Sequence, residues 1–171
     1  GSGELHLNMG NRNAVRGMAE GAADEYYIVE HVGGDANGET VRVIFSGREF
    51  IYSGVKKIIA HGDDGNDQIV IREGVLVPVE LHGGAGDDTI IHGGSGGGHI
   101  YGDEGNDILI ATGGGATVWG GTGNDFLVAG APGTVLVGEA GDDMLDARGA
   151  VATGVTPIVL LGGADQDNLV G

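Results

Sequence analysis

A carboxylate recurs at the sixth place of a nine-residue pattern that fills most of the chain after residue 61. The pattern is clearest in GDEGNDILI (102–110) and GGTGNDFLV (120–128), where a glycine turn leads to an aspartate and then to apolar residues. The aspartates at this place are Asp67, Asp88, Asp107, Asp125, Asp143 and Asp167. Carboxylate oxygens are ligands that hard divalent cations prefer. The spacing therefore indicates metal binding, provided that the fold brings the aspartates together.

Nine-residue units without the aspartate alternate with those that carry it. The units beginning at 93, 111 and 129 have Gly98, Ala116 and Thr134 at the sixth place. The acid-bearing units begin at 62, 83, 102, 120, 138 and 162, so successive starts differ by 21, 19, 18, 18 and 24 residues. If two units make one coil, alternate units lie on opposite edges. We expect the aspartates to form a column on one edge and no metal ion to bind at the other.

The apolar residues of the pattern predict the elements that carry this column. The eighth place is always aliphatic, and its residues are Ile69, Ile90, Ile100, Leu109, Val118, Leu127, Leu136, Leu145 and Leu169. Side chains alternate between the two faces of a strand, so one inward residue per short strand builds a thin core. Repetition at a fixed period is typical of a solenoid. We predict an all-β parallel β-solenoid, or β-roll, of about 18 residues per coil over residues 58–171.

The first part of the chain does not follow the repeat. The runs EYYIVEHV and TVRVIFSG are strand-like and are joined by GGDANGE, which predicts a β-hairpin. An open solenoid end exposes strand edges, so we interpret residues 1–57 as a capping segment. Residues 4–19 are mixed and fit either a short strand or partial disorder. For Asp24, Glu25 and Asp35, surface acids without a metal are the favoured interpretation.

The column of aspartates indicates which cation it would hold. Adjacent coils lie roughly 4.7–4.9 Å apart, so bare carboxylates would repel one another. Calcium binds oxygens at about 2.3–2.6 Å and can therefore reach two neighbouring turns. Magnesium needs a tighter octahedron and gives up its water reluctantly. Six turns leave five gaps, so we expect about four to five calcium ions.

Composition excludes several other functions. The chain has 25 acidic against 8 basic residues among its 171, which disfavours nucleic acid and anionic membranes as partners. It has no cysteine, which removes disulfides and thiolate metal sites, and no apolar run long enough to span a membrane. His61 and His82 could stack one coil apart, but no further zinc ligand is evident. Nothing resembles a nucleophile motif, so no enzymatic activity is predicted.

The repeats resemble the calcium-binding nonapeptide GGxGxDxUx of the RTX (repeats-in-toxin) family, in which U is a large aliphatic residue. GGAGDDTII and GGTGNDFLV fit every fixed place, and GDDGNDQIV, GDEGNDILI and GEAGDDMLD miss only the second glycine. The resemblance implies that the six aspartates supply side-chain ligands and that the first, third and fourth residues of the turns complete the sites. These residues are Gly62, Asp64, Gly65, Gly83, Ala85, Gly86, Gly102, Glu104, Gly105, Gly120, Thr122, Gly123, Gly138, Ala140 and Gly141.

The resemblance also implies a biological setting. It suggests a calcium-binding structural module of a secreted bacterial protein, exported by type I secretion and folding outside the cell, within a larger adhesin or surface protein. An accessory module of a secreted hydrolase, epimerase or toxin is the alternative. An ice-binding solenoid is disfavoured because the third place carries no threonine ladder. Outward apolar residues (Ile91, Ile110, Val128 on one sheet and Tyr101, Trp119, Val137 on the other) fit either strand propensity or a face covered by a neighbouring domain or partner.

Overall fold

The computed structural model describes residues 3–8, 24–149 and 156–171, and every regular element within these ranges is a β-strand. Seven strands form the first sheet, in the order β1 (Glu4–Asn8), β5 (Lys57–Asp64), β7 (Val79–Ala85), β9 (Gly98–Glu104), β11 (Ala116–Thr122), β13 (Val135–Ala140) and β15 (Val159–Ala164). Nine strands form the second sheet, in the order β16 (Asn168–Val170), β14 (Met144–Asp146), β12 (Phe126–Ala129), β10 (Ile108–Ala111), β8 (Thr89–His92), β6 (Gln68–Ile71), β2 (Tyr26–Asp35), β3 (Gly38–Phe45) and β4 (Arg48–Val55).

The chain crosses from one sheet to the other once per half coil, and each strand pairs in parallel with the equivalent strand of the next coil. This confirms the predicted all-β parallel solenoid. The predicted hairpin strands form the antiparallel pair β2–β3, to which β4 adds. In the mixed N-terminal stretch, residues 4–8 form β1, and residues 9–19 lie outside the described residues. The division of the chain at residue 57 stays a prediction.

The core is a double ladder of aliphatic side chains between the sheets. Ile69, Ile90, Leu109, Leu127 and Leu145 line the second sheet, each at most 1% exposed. Their counterparts on the first sheet are Ile58, Leu81, Ile100, Val118 and Leu136, all fully buried. Leu169 is instead 44% exposed, because β16 is the last strand of its sheet and no described strand covers its far side. Burying a side chain of this size contributes about 1.5–3 kcal/mol, so the ladder is the main source of stability.

The outward rows follow the expected register. Ile91, Ile110 and Val128 align on the second sheet, while Tyr101 aligns with Trp119 on the first. The rings of Tyr101 and Trp119 stack with centroids 4.6 Å apart. His61 and His82 continue this stack toward the N-terminus, with centroids 4.8 Å apart. Each aromatic pair contributes about 0.5–1.5 kcal/mol beyond area burial, so this row stabilises the pairing of neighbouring strands in the first sheet.

His92 is a polar side chain within the core. His92 is fully buried where the neighbouring coils place Ile71 and Ala111, and neither ring nitrogen has a hydrogen-bond partner among the described residues. Burial lowers the pKa of His92 to about 4. The imidazole is therefore neutral in the folded chain at pH 7, and its unmet hydrogen bonds cost free energy.

We expect His92→Leu to raise the free energy of unfolding by about 1–3 kcal/mol, the usual cost of a buried unsatisfied polar group. The gain grows as the pH falls from about 6.5 to about 4, because only the unfolded imidazole takes up a proton in that window. Urea denaturation of the calcium-loaded protein at pH 7 and pH 5 measures both effects. His99→Leu, at an exposed position, is the control. A lower stability of the His92 variant at both pH values contradicts the prediction.

Candidate calcium-binding edge

All six acid-bearing turns lie on one edge of the solenoid, where the chain leaves the first sheet and enters the second. Each column aspartate except Asp167 donates its backbone N–H to Oδ1 of the column aspartate in the next coil. The distances, from Asp67 to Asp167, are 2.7, 2.7, 2.8, 2.9 and 3.1 Å. The structure thus brings together the residues that the spacing predicted, and unequal coil lengths do not disturb the column.

The second carboxylate oxygen of each column residue is differently placed. Oδ2 of Asp67, Asp88, Asp107, Asp125 and Asp143 is buried and has no hydrogen-bond partner among the described residues. The five residues are only 1–3% exposed. A buried carboxylate oxygen without a donor is costly, so a proton or a cation bound to these atoms stabilises the fold. Asp167 in the last turn is half-buried, since no described coil follows it.

The electrostatics of the column agree with its geometry. Burial raises the pKa of Asp88 and Asp107 to about 7 and the pKa of Asp67 and Asp125 to about 6. Burial also raises the pKa of Asp143. The charge of the following aspartate adds to the rise for Asp88, Asp107, Asp125 and Asp143, while the backbone hydrogen bond opposes it. Without a cation, the folded column therefore holds protons near neutral pH.

Glycine at the first place of the turn makes room for these oxygens. A Cβ on Gly102 would lie closer than 3.0 Å both to Oδ2 of Asp107 and to the carbonyl oxygen of Gly120 in the next coil. Gly83, Gly120 and Gly138 have the same surroundings in their own turns. The first-place glycines therefore bound a cradle in which a carboxylate oxygen of one coil and a carbonyl oxygen of the next approach each other. This donor set, made only of oxygens, fits a hard cation such as calcium.

The carbonyls of the third place are already engaged. Those of Ala85, Glu104, Thr122 and Ala140 each accept the N–H of the fourth-place residue of the preceding coil, at 2.8–2.9 Å. A carbonyl oxygen has two lone pairs, so each retains one for a further ligand. The side chains of Asp64 and Glu104 at this place lie on exposed residues. The assignment of first-, third- and fourth-place residues as ligands stays a prediction.

Three turns carry an acid where the repeat has its second glycine. Asp63, Asp103 and Glu139 adopt φ of 71°, 76° and 81°, a region that side chains seldom occupy. Asp165 replaces the fourth-place glycine of the last turn in the same way, with φ of 76°. Asp and Asn accept this conformation more readily than most residues do. The departures from the glycine pattern leave the strand register unchanged, since Asp103 pairs with Gly84 and Gly121 of the neighbouring coils.

A second ladder, which the sequence analysis missed, runs along the fifth place of the same turns. The backbone N–H of Asp87, Asn106, Asn124, Asp142 and Gln166 each donates to Oδ1 of the fifth-place residue of the preceding coil, at 2.9–3.0 Å. These side chains are exposed. The signal was present in the sequence, since Asn or Asp fills the fifth place in five of the six turns.

The opposite edge is built differently. Its sixth places hold Gly98, Ala116 and Thr134, and the hydroxyl of Thr134 donates to the carbonyl oxygen of Ala131 at 2.8 Å. The absence of calcium at this edge stays a prediction. Within the described ranges, no three His, Cys, Asp or Glu side chains converge as a metal cluster, and no helix is long and apolar enough to cross a membrane. A site on the acid edge therefore depends on backbone oxygens as well as carboxylates.

The raised pKa values predict that acid stabilises the calcium-free fold. Because the folded aspartates bind protons up to pH 6–7 and unfolded ones only up to about pH 4, folding takes up protons in this window and stability falls as the pH rises through it. The lowered pKa of His92 makes stability rise with pH, but this single group is outweighed by the five buried aspartates. We expect the chelator-treated protein to gain β-structure as the pH falls from 7 toward 5, measured by far-UV circular dichroism. Light scattering is the control, because the isoelectric point is about 4.3. A loss of β-signal over this range contradicts the prediction.

The fold and the acid edge together define a parallel β-solenoid with a column of buried carboxylates. Comparison with protein families matches residues 80–109 and 92–127 to the RTX calcium-binding nonapeptide repeat. Residues 80–127 are thus similar to the calcium-binding repeats of that family, and the coils on either side continue the same column. Comparison of the chain with curated proteins and with solved structures gave no match.

Proposed function

We propose that this chain is a calcium-dependent structural module whose acid edge takes up calcium ions between successive coils. The observation that carries the proposal is the row of five buried Oδ2 atoms without a hydrogen-bond partner among the described residues. Asp67, Asp88, Asp107, Asp125 and Asp143 would hold the ions, together with Asp167 and with backbone oxygens of the turns. A bound cation would neutralise the negative charge of these carboxylates.

The chain's own residues explain why folding would depend on the ion. Five carboxylates are buried in a column, each one coil from the next, and the repulsion between neighbours opposes the folded state when they are ionised. The 38 glycines add chain entropy to the unfolded state. Neutralising the column removes the first cost, so binding free energy becomes folding free energy. Neighbouring sites share an aspartate, so binding is expected to be cooperative.

This behaviour suits a secreted bacterial protein. Extracellular calcium modules typically bind at about 10⁻⁴–10⁻³ M, so such a chain stays loose where calcium is scarce and folds where it is millimolar. We propose that the module belongs to a larger adhesin or surface protein and has no catalytic role. The outward rows containing Ile110 and Trp119 are then candidate contacts for a neighbouring domain.

A calorimetric calcium titration combined with far-UV circular dichroism on the same samples tests the proposal. The expected result is a cooperative gain of β-signal as about five ions bind between the six aspartates. About twice that number would show that the acid-free edge binds as well. A folded chain with no bound calcium at any concentration would overturn the proposed function.

A further inference from the structure

The N-terminal segment contributes a coil of its own to the solenoid. β1 pairs in parallel with β5, so Leu5 lies beside Ile58. β2 pairs in parallel with β6, so Tyr27 lies beside Ile69. Leu5 and Tyr27 are 8% and 6% exposed, and both belong to the same core as the ladder residues. β1 and the first part of β2 thus occupy, on the first and second sheets, the places that the two strands of each later coil occupy. Residues 9–23 lie outside the described part of the chain.

Glu25 occupies the place of a column aspartate in this first coil. Tyr26 pairs with Gln68, which puts Glu25 beside Asp67. The backbone N–H of Glu25 donates to Oδ1 of Asp67 at 2.8 Å, the bond that links every pair of column aspartates. The carbonyl oxygen of Glu25 accepts the N–H of Gln68 at 2.7 Å, just as that of Asp67 accepts the N–H of Thr89 at 2.8 Å.

Asp24 occupies the corresponding place in the exposed ladder. Its Oδ1 accepts the backbone N–H of Asn66 at 3.1 Å, and Oδ1 of Asn66 accepts the N–H of Asp87 at 3.0 Å. The dipeptide Asp24–Glu25 therefore takes the place of the Asn66–Asp67 pair, Asp24 through its side chain and Glu25 through its backbone. The sequence alone conceals this equivalence, because no nine-residue glycine turn precedes residue 24.

The first aspartate of the column faces this dipeptide. Oδ1 of Asp67 accepts the N–H of Glu25 and therefore faces the first coil, which β1 and β2 form. Oδ2 of Asp67 is buried without a hydrogen-bond partner among the described residues. Asp67 is 3% exposed. Among charged groups, Glu25 and then Asp24 contribute most to the raised pKa of the Asp67 carboxylate. The junction thus concentrates negative charge around a buried oxygen that no described donor satisfies, as the later gaps do.

We infer that Glu25 and Asp67 form a further site for a hard divalent cation, at the junction between the first coil and the repeats. The inference rests on the proposed function and extends it to residues outside the nonapeptide pattern. Glutamate has one more methylene group than aspartate, and a carboxylate on a longer stem still supplies oxygen ligands. An ion at this junction fastens β2, and with it the β3 and β4 strands, to the first repeat.

Counting the ions bound to the whole chain tests the inference. Native mass spectrometry in excess calcium is applied to the unmodified protein, to Glu25→Gln and to Glu73→Gln. Glu73 is an exposed acid in the loop between β6 and β7, so its variant makes the same change of charge away from the junction. We expect Glu25→Gln to bind one ion fewer than the other two proteins. An equal count in all three overturns the inference and leaves the proposed function intact, whereas no calcium in any of them overturns both.

Hydrogen exchange of the same proteins supplies a second readout. In Glu25→Gln, amides of β2 (Tyr26–Asp35) are expected to exchange at least tenfold faster at saturating calcium, while amides of β10 and β12 keep the exchange rates of the unmodified protein. Unchanged exchange in β2 overturns the inference. Loss of every ion and of protection throughout the chain also overturns it, because Glu25 would then be needed for the whole fold rather than for one site.

Discussion

Removal of calcium is expected to lower the free energy of unfolding by about 7 kcal/mol at neutral pH. An ion that binds only the folded form stabilises it by RT ln(1 + [L]/Kd), which is about 1.4 kcal/mol per site at roughly 1 mM calcium and a Kd of about 10⁻⁴ M. Five such sites between six aspartates sum to about 7 kcal/mol. Small proteins are stable by only about 5–15 kcal/mol, so a loss of this size unfolds the chain or leaves it marginal.

Urea denaturation in 1 mM calcium and in excess chelator, followed by circular dichroism, measures this difference. Magnesium in place of calcium is the control for ionic strength and divalent charge, and we expect it to restore little of the stability because it gives up its water reluctantly. Equal denaturation midpoints with calcium and with chelator would show that the acid column contributes no binding energy to folding.

Asp107→Asn is expected to remove about two ions and to lower the calcium-dependent stability by about 3 kcal/mol, the sum of two sites at roughly 1 mM calcium. Asp107 lies between Asp88 and Asp125, so it borders two gaps of the column. Asparagine retains an oxygen that can accept the N–H of Asp88, but it brings no negative charge. In excess chelator the change in stability has the opposite sign, because the variant removes one buried negative charge from a column of mutually repelling carboxylates. We therefore expect the calcium-free variant to be at least as stable as the unmodified protein.

Asp87→Asn is the matched control for this change. Asp87 lies in the same row of turns but at the exposed fifth place, where asparagine already occurs at Asn66 and Asn106. Its Oδ1 accepts the N–H of Asn106 at 2.9 Å, a bond that an amide oxygen preserves. This variant should bind as many ions as the unmodified protein. If both variants bind the full number, the carboxylate of Asp107 is not a ligand.

The sequence alone determined the repeated part of the molecule. A nine-residue period with one aliphatic residue at the eighth place leaves few ways to bury apolar surface, because strand faces alternate and each unit is too short to cover itself. The alternation of acid-bearing and acid-free units predicted the aspartate column from Asp67 to Asp167, and the structure places these residues in it. Local pattern sufficed here because the contacts are between equivalent residues of adjacent coils.

The tertiary structure decided the features that depend on contacts distant in sequence and outside the period. Strand alternation turns His92 to the same face as Ile90, but only the neighbouring coils, which place Ile71 and Ala111 beside it, leave its ring nitrogens without a hydrogen-bond partner among the described residues. The pairing of Glu25 with Asp67 spans 42 residues and joins a segment without glycine turns to the first repeat. The alignment of Glu25 with Asp67 follows from coil packing, because the apolar residues of β1 and β2 are buried only when these strands lie beside β5 and β6. Periodicity therefore determined the column, and the packing of the non-repetitive segment determined where the column begins.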